Sequence, residues 1–273
     1  MNKLLALDLD GTMLRSDKTI SEVTKKQIKR IKDMGVIIVA ASGRGFHTLP
    51  DNVVCMTQIT YAITLNGAAT YKLHPKILMD HSRLKPAAVD QIIDMTIRER
   101  GICFEGFMDG YGYANMEYVR EPNRYGASRL SLEYIRRTRE PVEDMPAFIR
   151  KFKDRFNSLA LVVPDPEQRD RIIHKLRTQV PAIYVTTSSA NLIEISSVFS
   201  GKDRALRNLC EQLDVDMQDV VAFGDADNDA QMLRAVGTGV AMGNAGRACL
   251  EAADMVTESN DEDGVAHALA KLF

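Results

Sequence analysis

An apolar run, Leu4-Leu5-Ala6-Leu7, stops abruptly at two carboxylates set one residue apart, Asp8 and Asp10, with Gly11 and Thr12 behind them. A second run, Val220-Val221-Ala222-Phe223, ends at Gly224 and then Asp225, Asp227, Asn228 and Asp229. Residues i and i+2 of a strand share a face, and two carboxylates that close repel unless a cation sits between them. Oxygen-only donors suit a hard divalent ion, magnesium above all, which keeps open positions for water and a substrate phosphate. The competing explanation is structural: an Asp-Gly turn after a strand, and an acidic helix start where Asp227, Asn228 and Asp229 cap and complement the dipole.

The elements that must position these groups follow from the pattern. A short continuous apolar run reads as a buried parallel strand, whose C-terminal end is where open α/β sheets bind ligands. Thr19 or Ser21 can cap a helix with Glu22 in its first turn and Gly35 past its end. The β-branched strand Val36–Ala40 follows and ends at Ser42-Gly43-Arg44. A third strand near Tyr61 to Leu65 ends at Asn66-Gly67-Ala68, so several strand ends feed one edge. From about Leu84 the texture changes. A helix from Pro86 to Arg100 leads to a strand and an aromatic, Gly-rich hairpin around Asp109-Gly110. Residues 115 to 155 are expected to be short helices and loops broken by Pro122, Pro141 and Pro146. A strand at Asn157–Val163, a helix at Pro166–Gln179 and a strand pair near Ile183 and Leu192 complete an α+β insert. The doubly wound texture returns from Lys202. The expected organisation is an α/β core with a doubly wound parallel sheet, residues 1–83 and 197–273, split by an α+β cap at 84–196, with short hinges near 82–85 and 196–200.

Composition narrows the partners. The 273 residues carry a formal net charge of -2 and no long basic run, which argues against nucleic acid. Cys55, Cys103, Cys210 and Cys249 are far apart without a C-x-x-C pair, so reduced thiols in a cytoplasm are expected rather than disulfides or zinc. No stretch has the apolar length of a membrane span, and Asp8 and Asp10 interrupt any leader-like start. The histidines show no metal spacing; His47 reads as a packing or surface residue.

Taken together, DLDGT at 8–12, SGR at 42–44, NGA at 66–68, Lys202 before a helix and GDADNDAQML at 224–233 resemble the haloacid dehalogenase superfamily. The large insert followed by a closely spaced GDxxND is similar to its Cof-type phosphatases with a type C2 cap. That resemblance implies a Rossmann-like core and a phosphatase with Asp8 as nucleophile and Asp10 as acid and base. Magnesium would be held by Asp8, the Asp10 carbonyl and Asp225. Ser42 and the Gly43 N–H would bind the phosphate and Lys202 would supply positive charge. Asn66 would face the phosphate or leaving group, and Asn228 and Asp229 would orient Lys202 and metal-bound waters. Here the chain reads Gly201-Lys202-Asp203 where the family has Ser-Lys-Gly, and Asp203 could simply cap the helix. Arg44 is open between a substrate anion and an ion pair bracing the core.

Specificity is expected in the insert, where Glu105, Asp109, Tyr111, Tyr113 and Asn115 could bond a sugar or nucleotide-like ring, or merely pack. Arg124, Arg129 and Arg139 are unassigned. The expected substrate is a small phosphorylated metabolite such as a sugar phosphate, with FMN and pyridoxal phosphate open. A phosphomutase, or a weakly active regulator that binds phosphometabolites, is the alternative. Oligomeric state is not readable from the sequence.

Overall fold

A computed structural model describes residues 3–129 and 131–273. The chain divides into two compact units. The first ends at Gly43, resumes over Leu49–Asp80 and again over Gly201–Phe273; the second comprises Arg44–Thr48 and His81–Ser200.

In the first unit the strands are β1 (Leu4–Leu7), β2 (Ile37–Ala41), β3 (Tyr61–Thr64), β4 (Ala69–Lys72) and β5 (Ile77–His81, whose last residue falls in the second unit). In the second unit they are β6 (Cys103–Met108), β7 (Tyr111–Asn115), β8 (Arg139–Val142), β9 (Ser158–Val162), β10 (Ile183–Thr186) and β11 (Leu192–Ser197). The chain then returns to the first unit with β12 (Val220–Gly224), β13 (Thr238–Ala241) and β14 (Met255–Val256). The first sheet has the order β14-β13-β12-β1-β2-β3-β4-β5. It is parallel from β14 through β3, and β4 folds back antiparallel on β3.

This sheet is doubly wound because its strands are apolar on both faces. Leu4, Ala6, Val39, Ile63 and Ala222 pack with Leu206, Leu209, Met232 and Leu233 of the helices Lys202–Gln212 and Ala230–Ala235. The alternate residues, among them Leu5, Leu7, Ile38 and Phe223, are fully buried as well. The helix Glu22–Asp33 buries Ile28 and Ile31 and packs against the helix Gly264–Leu272. Ser21 caps the former by accepting the Thr24 N–H at 3.0 Å.

The second unit is an α+β layer with the strand order β10-β11-β9-β6-β7-β8. One face of its sheet, carrying Phe104, Leu159, Leu161, Ile193 and Ile195, packs with Ile92, Ile149, Ile172 and Leu176 from three helices. Two proline expectations need correction. Pro141 lies inside β8, which pairs in parallel with β7 at the sheet edge, where a missing N–H costs no ladder bond. Pro146 occupies the first turn of the helix Met145–Lys151 and starts it rather than breaking it. The helix from Pro86 ends at Thr96, short of Arg100. Among the described residues no helix is long and apolar enough to cross a membrane.

Candidate active site

Four strand ends of the first unit carry the candidate residues. Asp8 follows β1, Ser42 follows β2, Asn66 lies just past β3 and Asp225 follows β12. Asp8, Asp225 and Asp229 each offer a carboxylate oxygen within 4.8 Å of the others. Lys202 Nζ donates to Asp8 Oδ1 and to Asp229 Oδ1, both at 2.6 Å. Its ammonium is wholly buried, and it stands in the first turn of a helix, the end that disfavours cations. Only the two carboxylates make that position tolerable. Gly201, not Asp203, holds the N-cap position of this helix, which corrects the capping expectation for Asp203.

Asp229 spends its second oxygen on the backbone, accepting the N–H groups of Asp225 and Ala226 at 3.1 Å each. The helix behind it begins at Ala230, three residues later than an acidic N-terminus at Asp227 would place it. Thr12 donates its hydroxyl to Asp225 Oδ1 at 2.8 Å. Sequence reasoning passed over Thr12; its signal was its place in the Asp-x-Asp-Gly-Thr turn, but its partner lies 213 residues away. Gly11 has φ +85, and a Cβ there would fall 2.4 Å from Asp225 Oδ2, so this turn admits no side chain.

Electrostatics follow from the count of charges. Three carboxylates face one ammonium, which leaves two negative charges uncompensated when all three are ionised. Burial, and then Asp229 beside it, pushes the Asp8 carboxyl well above the usual carboxylate range, against the pull of Lys202. Burial and Asp229 raise Asp225 to about 6. Burial alone would lower the Lys202 ammonium, but Asp229 and Asp8 outweigh it and hold the pKa above its ordinary value. The donor set is all oxygen and carries an excess of two negative charges, which fits a hard divalent cation; these residues could hold a metal ion.

The remaining expected residues divide. Ser42 is buried; its N–H donates to the Ile63 carbonyl at 2.9 Å and its own carbonyl accepts the Asn66 N–H at 3.1 Å. Leu65, Asn66 and Gly67 form a left-handed run with φ 51, 53 and 91. For the two non-glycine residues this is a strained conformation of the kind that clusters at functional sites. It presents the Asn66 amide oxygen to Asn228 Nδ2 at 2.8 Å, both side chains buried, and Asn228 Oδ1 is buried without a partner. Asp10 is not among the convergent carboxylates; its Oδ1 accepts from Lys18 Nζ at 2.9 Å. Gly43 ends the first stretch of the first unit, and Arg44 belongs to the second. There the Arg44 guanidinium lies 4.2 Å over the Tyr134 ring in a cation–π contact and donates to the Thr48 carbonyl at 3.3 Å.

Most polar groups expected to read the substrate in the insert are engaged in packing. Glu105 is paired with Arg139 at 2.7 Å, Asn115 Oδ1 accepts the Phe104 N–H at 2.7 Å and Asp109 pairs with Arg155. Tyr113 packs on Phe148, and Tyr111 stacks on His47 with ring centroids 4.3 Å apart.

Comparison with known proteins identifies a family. A family described as haloacid dehalogenase-like hydrolase matches residues 5–269. The 5-amino-6-(5-phospho-D-ribitylamino)uracil phosphatase YitU of Bacillus subtilis (strain 168) is 29% identical over 292 residues, covering 99% of this chain and 97% of that protein. The pyridoxal phosphate phosphatase YbhA of Escherichia coli (strain K12) is 27% identical over 270 residues, covering 97% and 96%. A haloacid dehalogenase-like hydrolase from B. subtilis superposes with a TM-score of 0.86 at 24% identity, covering 99% of this chain and 100% of that one. With its strand-end carboxylates, its buried lysine and a family match over nearly its whole length, the chain belongs to the haloacid dehalogenase-like hydrolases.

Proposed function

We propose that the protein is a magnesium-dependent phosphomonoester phosphatase that works through an aspartyl-phosphate on Asp8. The observation that carries this reading is the constellation of buried Asp8, Asp229 and Lys202 with half-buried Asp225, three carboxylates against one ammonium at the strand ends of a parallel sheet. The family match and relatives named as phosphatases support it.

Asp8, Asp225 and the Asp10 carbonyl are the groups we assign to the metal. Asp229, whose two oxygens already serve Lys202 and the 225–226 backbone, supports them from behind. Bound there, magnesium would offset the two excess charges and screen the repulsion between an anionic nucleophile and an anionic phosphate. A carboxylate oxygen of Asp8 attacks phosphorus as the bond to the ester oxygen breaks, and Asp10 gives a proton to that oxygen, releasing the alcohol. Water then attacks the same phosphorus and passes a proton to Asp10, the bond to Asp8 breaks and inorganic phosphate leaves. The net change is ester plus water to alcohol plus phosphate.

Lys202 holds Asp8 in place and contributes the positive charge that phosphoryl transfer needs at its oxygens. Ser42 and the Gly43 N–H are assigned to the transferring phosphoryl group as neutral donors. Asn66 fixes Asn228, and the unpartnered Oδ1 of Asn228 is assigned to a proton-bearing group of the bound substrate or its waters. Arg44, held over Tyr134, is assigned to the outer part of the substrate. The residues between 84 and 196 act as the cap that carries specificity, and we place the protein in the cytoplasm.

The substrate class we favour is a small polyol or sugar phosphate; the relative acting on a ribityl phosphate supports it. The test is phosphate release from sugar phosphates, a ribityl phosphate, FMN, pyridoxal phosphate and nucleotides, with magnesium and with EDTA. Release that needs magnesium and is fastest, by kcat/KM, for polyol or sugar phosphates is expected. Release that persists in EDTA contradicts the metal assignment, and a nucleotide or pyridoxal phosphate as best substrate contradicts the substrate class.

A further inference from the structure

Lys18 is left without a task by the reading above, yet the fold invests in its position. It sits at φ 68, in the left-handed region that glycine or asparagine adopts more readily. The turn that carries it is closed by the Arg15 N–H on the Thr19 carbonyl at 2.9 Å and the Lys18 N–H on the Arg15 carbonyl at 2.8 Å. Asp17 accepts both the N–H and the hydroxyl of Thr19, at 2.9 and 2.6 Å.

Four further bonds pin this turn to distant parts of the first unit. Arg15 pairs with Asp263 at 2.8 Å, Ser16 donates its hydroxyl to Asp261 at 2.6 Å, and the Asn260 amide bonds the Leu14 carbonyl at 2.9 Å. The Asn52 amide bonds the carbonyl of Lys18 itself at 3.2 Å. A lysine on so fixed a turn is not an ordinary solvated side chain. Its ammonium meets Asp10 Oδ1 at 2.9 Å, with the two side chains 43% and 38% exposed.

We propose that Lys18 is a positioning residue that holds the Asp10 carboxylate for the second displacement, an inference that rests on the phosphatase reading. The ammonium fixes where the Asp10 carboxylate oxygens lie. That placement matters when the water oxygen bonds to phosphorus, the bond to Asp8 breaks and the water proton passes to Asp10. With a leaving group that needs no proton from Asp10, formation of the aspartyl-phosphate depends instead on Asp8 and Lys202, which Lys18 does not touch. Loss of the ammonium therefore slows breakdown of the intermediate and spares its formation.

The test is steady-state and acid-quench kinetics of Lys18→Met and Lys18→Arg with magnesium and p-nitrophenyl phosphate, whose good leaving group needs little protonation. In Lys18→Met, kcat is expected to fall about fivefold, the scale an exposed ion pair can exert. KM falls with it, so kcat/KM stays within about twofold, and the acid-stable phosphorylated fraction at steady state rises; Lys18→Arg restores wild-type behaviour. A fall in kcat/KM at constant kcat, an unchanged phosphorylated fraction, or failure of arginine to restore it overturns the proposal. Should Lys18→Met lose cooperative unfolding, Lys18→Gln carries the same comparison. Wild-type protein that releases no phosphate overturns the phosphatase reading itself, and the proposal falls with it.

Discussion

Each unit buries a basic side chain against carboxylate, but the two centres are built differently. In the second unit Arg139 and Glu105 meet at 2.7 Å, with side chains 8% and 2% exposed, one charge against one. The Arg139 guanidinium also lies 4.8 Å from the Phe107 ring centroid and 5.3 Å from that of Tyr134. Its charge is answered on every side the fold presents, as a structural pair requires. In the first unit Lys202 faces Asp8 and Asp229, with Asp225 beside them, so the ammonium is answered but the carboxylates outnumber it. A protein that needed only a buried polar anchor would not bring three carboxylates to one ammonium. The imbalance makes this cluster one that could hold a cation.

Substitution separates the two centres most strongly. Lys202→Met leaves the buried Asp8 and Asp229 and the half-buried Asp225 unopposed, and we expect loss of about 3–5 kcal/mol by denaturant unfolding together with loss of phosphate release. Arg139→Met alone should cost a similar amount. The double change Arg139→Met with Glu105→Leu should recover most of it, because a balanced pair can be replaced by apolar groups of like volume. Recovery by a comparable apolar double change at Lys202 and Asp8, with activity retained, would erase the distinction.

A smaller effect comes from pH. Asp225 is raised from 3.8 to about 6, so the folded protein binds this proton more tightly than the unfolded chain does. Its contribution to stability is therefore largest below about pH 4 and declines as pH rises through 6. Carboxyls that surface partners hold low, such as Asp17, Asp219 and Asp261, act in the opposite sense and only at more acidic pH. Protein in EDTA should thus melt a few degrees higher at pH 5 than at pH 7.5. Saturating magnesium should shrink or reverse that difference, because it replaces the proton. Melting temperatures in EDTA that rise from pH 5 to 7.5 would show that the first-unit centre is as balanced as the second.

The strands that build the site were legible because each is a short apolar run that ends at a polar turn. Asp8, Ser42, Asn66 and Asp225 stand at or just past such ends, where periodicity and turn chemistry speak directly. What the sequence hid is long-range. Thr12 finds Asp225 across 213 residues, and Lys202 finds Asp8 across 194. Nothing local in Asp17-Lys18-Thr19 announces that the lysine meets Asp10. Strand β8 was hidden by Pro141, which reads as a breaker unless the strand is known to lie at an edge. The polar groups of the hairpin around Asp109 invited a substrate role because exposure cannot be read from residue type, whereas Glu105 is buried beneath Arg139 and Asn115 is bonded to backbone.

The central claim is that Asp8 carries the phosphoryl group in a magnesium-dependent hydrolysis. The direct measurement is acid quench of wild type and Asp8→Asn during turnover of p-nitrophenyl phosphate, with the phosphorylated peptide located by mass spectrometry alongside the rate of phosphate release. We expect phosphate on Asp8 in wild type with magnesium, none in EDTA, and a fall in release on the order of 10⁴-fold or more in the variant. Phosphate found on another residue, or release by Asp8→Asn at a rate near that of wild type, would contradict the account.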